Sequence, residues 1–294
     1  MRILVSGGTG FIGQALCPQL LQDGYDVVVW SRQPHPEVAE GVSAIQSLDE
    51  LTGPTPDAVI NLAGASIADG RWTEARKRLL VDSRVDTTGK LVEWMRAMED
   101  PPKALISASA VGYYGEQGDH VVTEETSPTP GFTHDLCVQW ENEALKAEAL
   151  GVRVCLVRTG VVLDRDGGAL AKMLPPFKMG VGGRLGSGKH YFPWIHRADI
   201  VGIYQWLVAN GQASGPYNAS APNPVTNAAF TRALGKALKR PTVFPVPAPV
   251  LRLLFGEMSE LLLVSNRMVP RRLLDEGFEF RYPELEQALH AILE

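Results

Sequence analysis

The most restrictive feature of the chain is a glycine-rich turn directly after its first apolar segment. Residues Arg2–Ser6 have the composition of a buried strand, and the next seven are Gly7-Gly8-Thr9-Gly10-Phe11-Ile12-Gly13. In such a turn the glycines permit a tight bend, close approach of a pyrophosphate, and packing of a helix on the strand. A helix beginning at Phe11 would also direct N–H groups at phosphate oxygens. The turn therefore predicts a bound dinucleotide, contacted by Gly7, Thr9, Gly10, Phe11, Ile12 and Gly13.

Apolar segments of strand length alternate with helical patterns through the first half of the chain. The predicted strands are Arg2–Ser6, Asp26–Trp30, Ala58–Leu62, Ala104–Ala108 and Arg153–Val157, with a weaker one at Val42–Ile45. The predicted helices are Phe11–Asp23, Trp72–Met98 and Thr133–Leu150. This alternation is typical of α/β proteins. Together with the glycine turn it predicts a Rossmann-type, doubly wound parallel sheet.

The second half of the chain has a different character. The loop signals are Gly167-Gly168, Pro175-Pro176 and the glycine-rich stretch 180–188. A helix is predicted at about Asp199–Ala209. We therefore expect a dinucleotide-binding domain over residues 1–162 and a smaller α/β substrate lid over residues 163–294, from which some segments can return to the first domain.

The end of the second predicted strand indicates which dinucleotide binds. NAD-specific sites place Asp or Glu there, but this strand ends in Trp30-Ser31-Arg32, and Asp26 lies at its opposite end. An arginine can pair with the 2′-phosphate of NADP(H), and Ser31 can donate a hydrogen bond to it. We therefore predict NADP(H), bound by Ser31 and Arg32; an ordinary surface arginine is the alternative. The small residues Leu62-Ala63-Gly64 are predicted to let the backbone approach the adenosine side.

Composition and charge argue against several classes of protein. The net charge of −5 disfavours a nucleic-acid-binding protein, which would usually carry a basic face. The six histidines lie far apart and the three cysteines are widely spaced, so neither a metal site nor a disulfide framework is expected. No apolar run approaches the ~20 residues that span a bilayer, and no secretory leader pattern is present. The sequence thus predicts a cytoplasmic protein with a small-molecule substrate, and neither nucleic acid nor membrane as a partner.

Several motifs together resemble the extended short-chain dehydrogenase/reductase superfamily, which includes NAD-dependent epimerases and dehydratases. They are the glycine turn, Asn61-Leu62-Ala63-Gly64, Ser107–Gly115 and Trp194–Asp199. A narrower resemblance to YfcH-type "epimerase family" proteins rests on Trp72–Lys77, Ser83-Arg84-Val85, Trp140-Glu141 and Phe192–His196. The resemblance covers most of the chain.

The resemblance also implies a catalytic set, which this chain has only in part. Relatives use a tyrosine as acid and base, a lysine four residues later, and a Ser or Thr beside the reacting oxygen. Ser109 corresponds to that hydroxyl. None of the seven tyrosines has a lysine four positions on, and Trp140-Glu141 aligns Thr133 with the tyrosine and Cys137 with the lysine. Arg84 falls where many relatives have asparagine, and is predicted to contact the cofactor or a substrate anion.

Other residues could replace the missing pair. Tyr113 and Tyr114 follow Ser109 closely and are predicted proton donors, although each could instead pack at the exit of the strand. Cys137 is an alternative acid or nucleophile, or a small buried filler. His196 could be a positioned imidazole near Asp199, whose ordinary role would be to cap the following helix.

Basic and aromatic side chains suggest further contacts. An anionic substrate group could be held by Arg184, Lys189, Arg267, Arg271 or Arg272. Many extended relatives dimerise through the two long helices, so a homodimer is expected, with Trp72 and Trp94 as anchors or as core residues.

The sequence is compatible with three functions. The first is an NADP(H)-dependent oxidoreductase or epimerase-like enzyme with altered acid and base groups. The second is a non-catalytic NADP(H)-binding or redox-sensing protein. The third is a dehydratase or isomerase, which would need an acidic pair near Ser109 such as Glu124-Glu125.

Overall fold

Seven parallel strands form the central sheet in the computed structural model, which describes residues 1–294. The chain has thirteen strands, of which six form small two-stranded sheets outside the central one. In chain order they are β1 (Arg2–Ser6), β2 (Asp26–Trp30), β3 (Ser43–Ile45), β4 (Ala58–Asn61), β5 (Ala104–Ala110), β6 (Val121–Val122), β7 (Arg153–Thr159), β8 (Val161–Asp164), β9 (Tyr191–Phe192), β10 (Trp194–His196), β11 (Gly215–Ala219), β12 (Val225–Thr226) and β13 (Arg267–Met268). The sheet order is β11-β7-β5-β4-β1-β2-β3, and every neighbouring pair in it is parallel. Strand order reverses between β1 and β4, which makes the sheet doubly wound. The predicted fold class is confirmed.

Helices cover both faces of this sheet. They are α1 (Gly13–Gln22), α2 (Glu74–Arg96), α3 (Phe132–Leu145), α4 (Gly168–Lys178), α5 (Arg197–Ala209), α6 (Asn227–Leu238), α7 (Ala248–Phe255), α8 (Glu260–Leu263), α9 (Arg271–Asp275) and α10 (Leu285–Leu293). Helices α1 and α5 pack on one face, and α2 and α3 pack on the other. The part of the predicted helix Thr133–Leu150 that follows α3 is a 3-10 helix.

Alternation along the strands explains these two layers. Ile3 and Val5 of β1 lie in the core shared with α1 and α5, whereas Leu4 lies in the core shared with α2 and α3. Successive side chains of a strand point to opposite faces, and a sheet covered on both faces needs apolar residues at every position. The uninterrupted apolar segments in the sequence are therefore strands buried on both sides.

Three segments from the second half of the chain, α5, α9 and β11, belong to the central sheet layer. Helix α5 packs its side chains Ile200 and Tyr204 against the core under α1, and β11 pairs with β7. Leu273 of α9 lies in the same core. Helices α4, α6 and α10 and strand β10 form a separate core, and we call this part of the chain the lid. Its buried side chains include Leu174, Phe177, Trp194, Phe230, Leu234 and Leu289.

Helix α4 corrects the prediction of a loop at Gly167-Gly168 and Pro175-Pro176. Two prolines remove backbone donors and disfavour a helix, yet the helix runs from Gly168 to Lys178. Its side chains Leu170, Leu174 and Phe177 recur at helical spacing and are all buried in the lid core. Tertiary packing of this apolar stripe outweighs the low helix propensity of the prolines.

The predicted dimer anchors occupy different environments. Trp72 is only 6% exposed and its ring packs edge-on against Phe132 at 5.0 Å, which makes it a core residue. Trp94 is half-buried beside the core under α2. Dimerisation through α2 and α3 stays a prediction. None of the helices is both long enough and apolar enough to cross a membrane.

Candidate cofactor and active site

The glycine turn lies at the carboxyl end of β1 and is closely packed. Gly7 has a φ of 73°, and a Cβ there would lie 2.7 Å from the backbone carbon of Leu62. A Cβ on Gly13 would lie 2.5 Å from the carbonyl oxygen of Gly7. A Cβ on Gly10 would instead meet only one atom, the same carbonyl oxygen, at 3.2 Å. Gly7 and Gly13 are therefore fixed by the fold, while Gly10 leaves one side of the turn open to a ligand.

The start of α1 presents unpaired donors beside this opening. The backbone N–H groups of Phe11, Ile12 and Gly13 donate to no group within the chain, and the N-cap residue Ile12 has no side chain that could accept from them. Free N–H groups at a helix N-terminus, together with the helix dipole, favour phosphate oxygens. The turn thus has the geometry and the donors of a pyrophosphate site.

The end of β4 is tied to its surroundings through Asn61. Its side-chain oxygen accepts a 2.6 Å hydrogen bond from Ser6, and its amide donates to Thr88 on α2 at 2.8 Å. Asn61 is fully buried, so these bonds satisfy a polar group that water cannot reach. They fix the end of β4, after which the backbone of Leu62 lies against the glycine turn.

The end of β2 supports the expected cofactor preference. Arg32 is exposed and forms neither an ion pair nor a hydrogen bond within the chain, while Ser31 is 9% exposed and accepts a hydrogen bond from the backbone of Gln33. A groove of about 360 Å³ separates this segment from the turn, lined by Thr9, Gln14, Gln33, His35 and Glu37. Gln33 and His35 were missed in the sequence; their position directly after β2 was the only available signal.

Arg84 projects from α2 towards the carboxyl edge of the sheet. It donates hydrogen bonds to the carbonyl oxygens of Leu80 and Ala65, both at 3.0 Å, and its guanidinium lies 5.2 Å from the ring of Trp140. A Cβ on Gly64 would lie 3.0 Å from its central carbon. Burial lowers the pKa of Arg84, and the guanidinium has no carboxylate partner.

Ser109 does not face an open site. It is 3% exposed, and its hydroxyl donates a 2.6 Å hydrogen bond to Glu141 on α3. Both oxygens of Glu141 also accept hydrogen bonds from Arg158, at 2.9 and 2.8 Å, and the two charged side chains are at most 6% exposed. The hydroxyl proton of Ser109 is therefore already donated to a hydrogen bond inside the protein. The burial of Ser109 and this hydrogen bond argue against the expectation that Ser109 orients a reacting oxygen. The partner carboxylate was not recognised in the sequence.

The two tyrosines that follow Ser109 have opposite environments. Tyr114 is fully buried, its hydroxyl donates to Asn218 at 2.6 Å and accepts from Arg158 at 3.0 Å, and burial raises its pKa to about 12. It is a structural residue, which corrects its prediction as a proton donor. Tyr113 is half-buried, its ring stacks on the guanidinium of Arg158 at 3.3 Å, and its hydroxyl has no partner within the chain. Of these two tyrosines, only Tyr113 has a hydroxyl without a partner in the chain.

The positions of the missing pair are filled by small side chains. Thr133 packs so closely on the 3-10 helix over Val111–Tyr114 that a Cβ at Gly112 would lie 2.9 Å from its Cβ. Cys137 is 3% exposed and lies 3.7 Å from the carbonyl oxygen of Ala110. Burial raises the pKa of this thiol to about 12, so it stays protonated and is a poor nucleophile. Of the alternatives for Cys137, the structure favours the buried filler.

The imidazole of His196 caps α5 in the place expected for Asp199. Its Nδ1 accepts from the backbone of Ala198 at 2.9 Å, and its ring stacks on Tyr282 at 3.9 Å. Burial lowers the pKa of His196 to about 4. Asp199 instead accepts hydrogen bonds from the backbone of Arg281 and Tyr282. Both residues join the lid to α5, which explains them without catalysis.

The acidic pair considered for a dehydratase is also structural or exposed. Glu124 is 8% exposed and accepts hydrogen bonds from the backbone of Asn218 and Arg272, whereas Glu125 is exposed. Neither contacts Ser109, whose carboxylate partner is Glu141.

The five basic residues proposed for an anionic substrate differ in their partners. Arg271 and Arg272 pair with Asp275 and Glu276, so their charges are already compensated. Arg184 and Lys189 are exposed. Arg267 is half-buried beside the ring of Tyr191, has no acidic partner, and has a buried Nε without a hydrogen bond. Of the five, only Arg267 combines partial burial with an unpaired charge.

A doubly wound parallel sheet and a glycine turn with free N–H donors define a Rossmann-type nucleotide-binding fold. Comparison with known proteins agrees. Residues 3–220 match the model of the NAD dependent epimerase/dehydratase family, and residues 246–292 match a domain of unknown function, DUF1731. The chain belongs to the NAD dependent epimerase/dehydratase family, which confirms the resemblance inferred from the motifs.

Individual relatives match over the whole chain. The epimerase family protein SDR39U1 of mouse is 40% identical over 300 residues, covering 100% of both chains. The crystal structure of human SDR39U1, solved with NADPH, has a TM-score of 0.91 and 37% identity and covers 100% of this chain and 99% of that one. A nucleoside-diphosphate sugar epimerase from Corynebacterium glutamicum has a TM-score of 0.78 and 31% identity, covering 100% of this chain and 58% of that one.

Proposed function

We propose that the chain binds NADP(H) and uses it as an oxidoreductase or epimerase-like enzyme. The observation that carries the proposal is the pairing of two sites across one groove. Unpaired N–H groups of the turn at Phe11, Ile12 and Gly13 are suited to the pyrophosphate. Arg32, exposed and without an acidic partner, is suited to the 2′-phosphate. The human relative of known structure, which was crystallised with NADPH, supports the same cofactor.

The remaining cofactor contacts follow from the geometry around the turn. Gly7, Thr9, Gly10 and the Leu62-Ala63-Gly64 segment would lie along the dinucleotide, with Ser31 at its adenosine end and Arg84 on the side of β4 and β5. The bound cofactor would supply or accept a hydride.

Tyr113 is our proposed proton donor in place of the missing tyrosine–lysine pair. Its ring is held in place by Arg158, which is itself fixed by Glu141, and its hydroxyl is free to contact a substrate oxygen. Ser109 would support this arrangement through Glu141 rather than touch the substrate. Arg267 is our proposed contact for an anionic group of a small polar substrate under the lid, and the Corynebacterium relative makes nucleotide sugars the first class to examine.

The test is to mix the protein and NADPH with panels of carbonyl compounds and nucleotide sugars, and to follow NADPH absorbance and the sugar products. We expect turnover with at least one class. Tyr113→Phe should lower kcat by roughly 10²-fold or more, the usual contribution of one acid–base group, without changing NADPH binding. Tyr25→Phe is the matched control, because its hydroxyl also has no partner in the chain.

A non-catalytic NADP(H)-binding or redox-sensing protein is the second candidate. It is favoured by the replacement of the tyrosine–lysine pair by Thr133 and a buried, protonated Cys137. Tight NADPH binding without turnover on either panel would support this candidate against the enzyme.

We propose a cytoplasmic location for the protein under either function. The proposal is supported by its three cysteines, which are all buried and free.

A further inference from the structure

Arg84 has no ionic partner in the chain; its guanidinium is stabilised only by two carbonyl oxygens and the ring of Trp140. An arginine is charged at any physiological pH, and its two hydrogen-bond acceptors, the carbonyl oxygens of Leu80 and Ala65, are uncharged. Glu141, which follows Trp140 on α3, is already bonded through both oxygens to Arg158. A partly buried charge without a partner is costly, which points to a role with a ligand.

The topology places Arg84 away from the adenosine half of the proposed cofactor. Arg32 follows β2, and the glycine turn follows β1, so the 2′-phosphate and pyrophosphate would lie on that side of the strand reversal. Arg84 lies beside Gly64, which follows β4, and stacks on Trp140, one helical turn after Cys137 beneath the end of β5. A dinucleotide on a doubly wound sheet crosses the strand reversal, here between β1 and β4. Gly64 and Arg84 would therefore lie towards its nicotinamide half, rather than on the adenosine side that the sequence predicted for Leu62-Ala63-Gly64.

We propose that Arg84 makes the site selective for the reduced cofactor, an inference that rests on the proposed binding of NADP(H). The nicotinamide ring is neutral in NADPH and carries a positive charge in NADP⁺. A guanidinium that lies near the ring without an ionic partner repels the oxidised form and leaves the reduced form unaffected. The repulsion is effective because the edge of the sheet is partly shielded from water, where charges interact more strongly than in solvent. The same residue therefore acts as a specificity determinant for redox state.

This role differs from that of Arg32 in a measurable way. Both redox forms carry the same 2′-phosphate, so Arg32 should strengthen the binding of both equally. Arg84 should change only the ratio of the two affinities. The fragment 2′,5′-ADP has no nicotinamide and should not sense Arg84.

The experiment measures dissociation constants for NADPH, NADP⁺ and 2′,5′-ADP by calorimetry in the full chain. We expect the unmodified protein to bind NADPH at least about tenfold more tightly than NADP⁺, and Arg84→Gln to remove most of that ratio. Arg84→Lys keeps the charge and should keep most of the ratio. Arg78→Gln is the matched control, since Arg78 is an exposed arginine on the same helix. Arg32→Gln should weaken all three ligands by a similar factor.

Two results would overturn the inference. One is an unmodified protein that binds NADP⁺ as tightly as NADPH, which needs no variant and so does not depend on whether Arg84→Gln folds. The other is an Arg84→Gln variant that binds 2′,5′-ADP normally and keeps the full NADPH preference. Failure of every protein to bind 2′,5′-ADP or NADPH would instead contradict the proposed function itself, so the two outcomes are distinguishable.

Discussion

A Cβ at Gly13 would lie 2.5 Å from the carbonyl oxygen of Gly7, and 2.5 Å from the Cα of Gly8. The first turn of α1 therefore rests directly on the backbone of the turn that precedes it. This contact sets the direction in which the free N–H groups of α1 point, and it depends on the absence of a side chain at one position.

Gly13→Ala should consequently damage both stability and cofactor binding. Neither neighbour is a flexible side chain, so the backbone must move, at a cost of about 1–3 kcal/mol in the free energy of unfolding. NADPH affinity should fall as the N–H groups are displaced. Chemical denaturation and an NADPH titration would measure the two effects. Gly211→Ala is the control, since a Cβ there meets nothing within 4 Å; equal behaviour of the two variants would contradict this description of the turn.

The ion pair between Glu141 and Arg158 should be important for stability. Removing one member of a pair that is at most 6% exposed leaves a buried charge without a partner, which typically costs 3–5 kcal/mol, about the range we expect for Arg158→Met. Replacing both residues, in Glu141→Leu with Arg158→Met, should cost less than the single change. Equilibrium unfolding in urea would give these values.

An exposed pair provides the comparison for that experiment. Arg271 and Asp275 are 2.8 Å apart, but their side chains are 66% and 58% exposed. Arg271→Met should therefore change stability by less than about 1 kcal/mol. If Arg158→Met also changed the free energy of unfolding by less than about 1 kcal/mol, Glu141 and Arg158 would not form a buried ion pair.

His196 should make the protein less stable in mild acid. Burial lowers its pKa from 6.5 in the unfolded chain to about 4 in the folded protein. Below pH 6.5 the unfolded state takes up a proton that the folded state does not, so stability is lost as pH falls from about 6.5 to about 4, by at most about 3 kcal/mol. His196→Asn keeps an acceptor for the cap and should flatten the profile in that range. Parallel profiles for the two proteins would show that His196 is not buried in its neutral form.

The central sheet could be predicted because its physics is local. Strands buried on both faces must be apolar throughout, and the glycine turn between β1 and α1 is required by contacts that only glycine permits. The strands of the lid were harder to predict from the sequence, because each contains only two to four residues. Helix α4 was missed for a related reason: the prolines are visible in the sequence, whereas the core that receives Leu174 and Phe177 is not.

The candidate site likewise has a part that local sequence predicts and a part that depends on contacts between distant residues. Its phosphate-binding part is contiguous in sequence, so Gly10 and Arg32 could be selected from motif and position. The environment of Ser109 depends on Glu141, 32 residues away, and on Arg158 in another strand. Without those partners in view, Ser109 and Tyr114 could not be distinguished from Tyr113 as groups open to a ligand.

The measurement that tests the account most directly is a comparison of NADPH and NADH affinities in the unmodified protein and in Arg32→Gln. Because Arg32 is exposed, unpaired and next to the groove of about 360 Å³, we predict that NADPH binds at least about tenfold more tightly than NADH, a difference of about 1.4 kcal/mol. We also predict that Arg32→Gln removes most of this preference. NADH binding as tightly as NADPH, or no binding of either, would contradict the central claim.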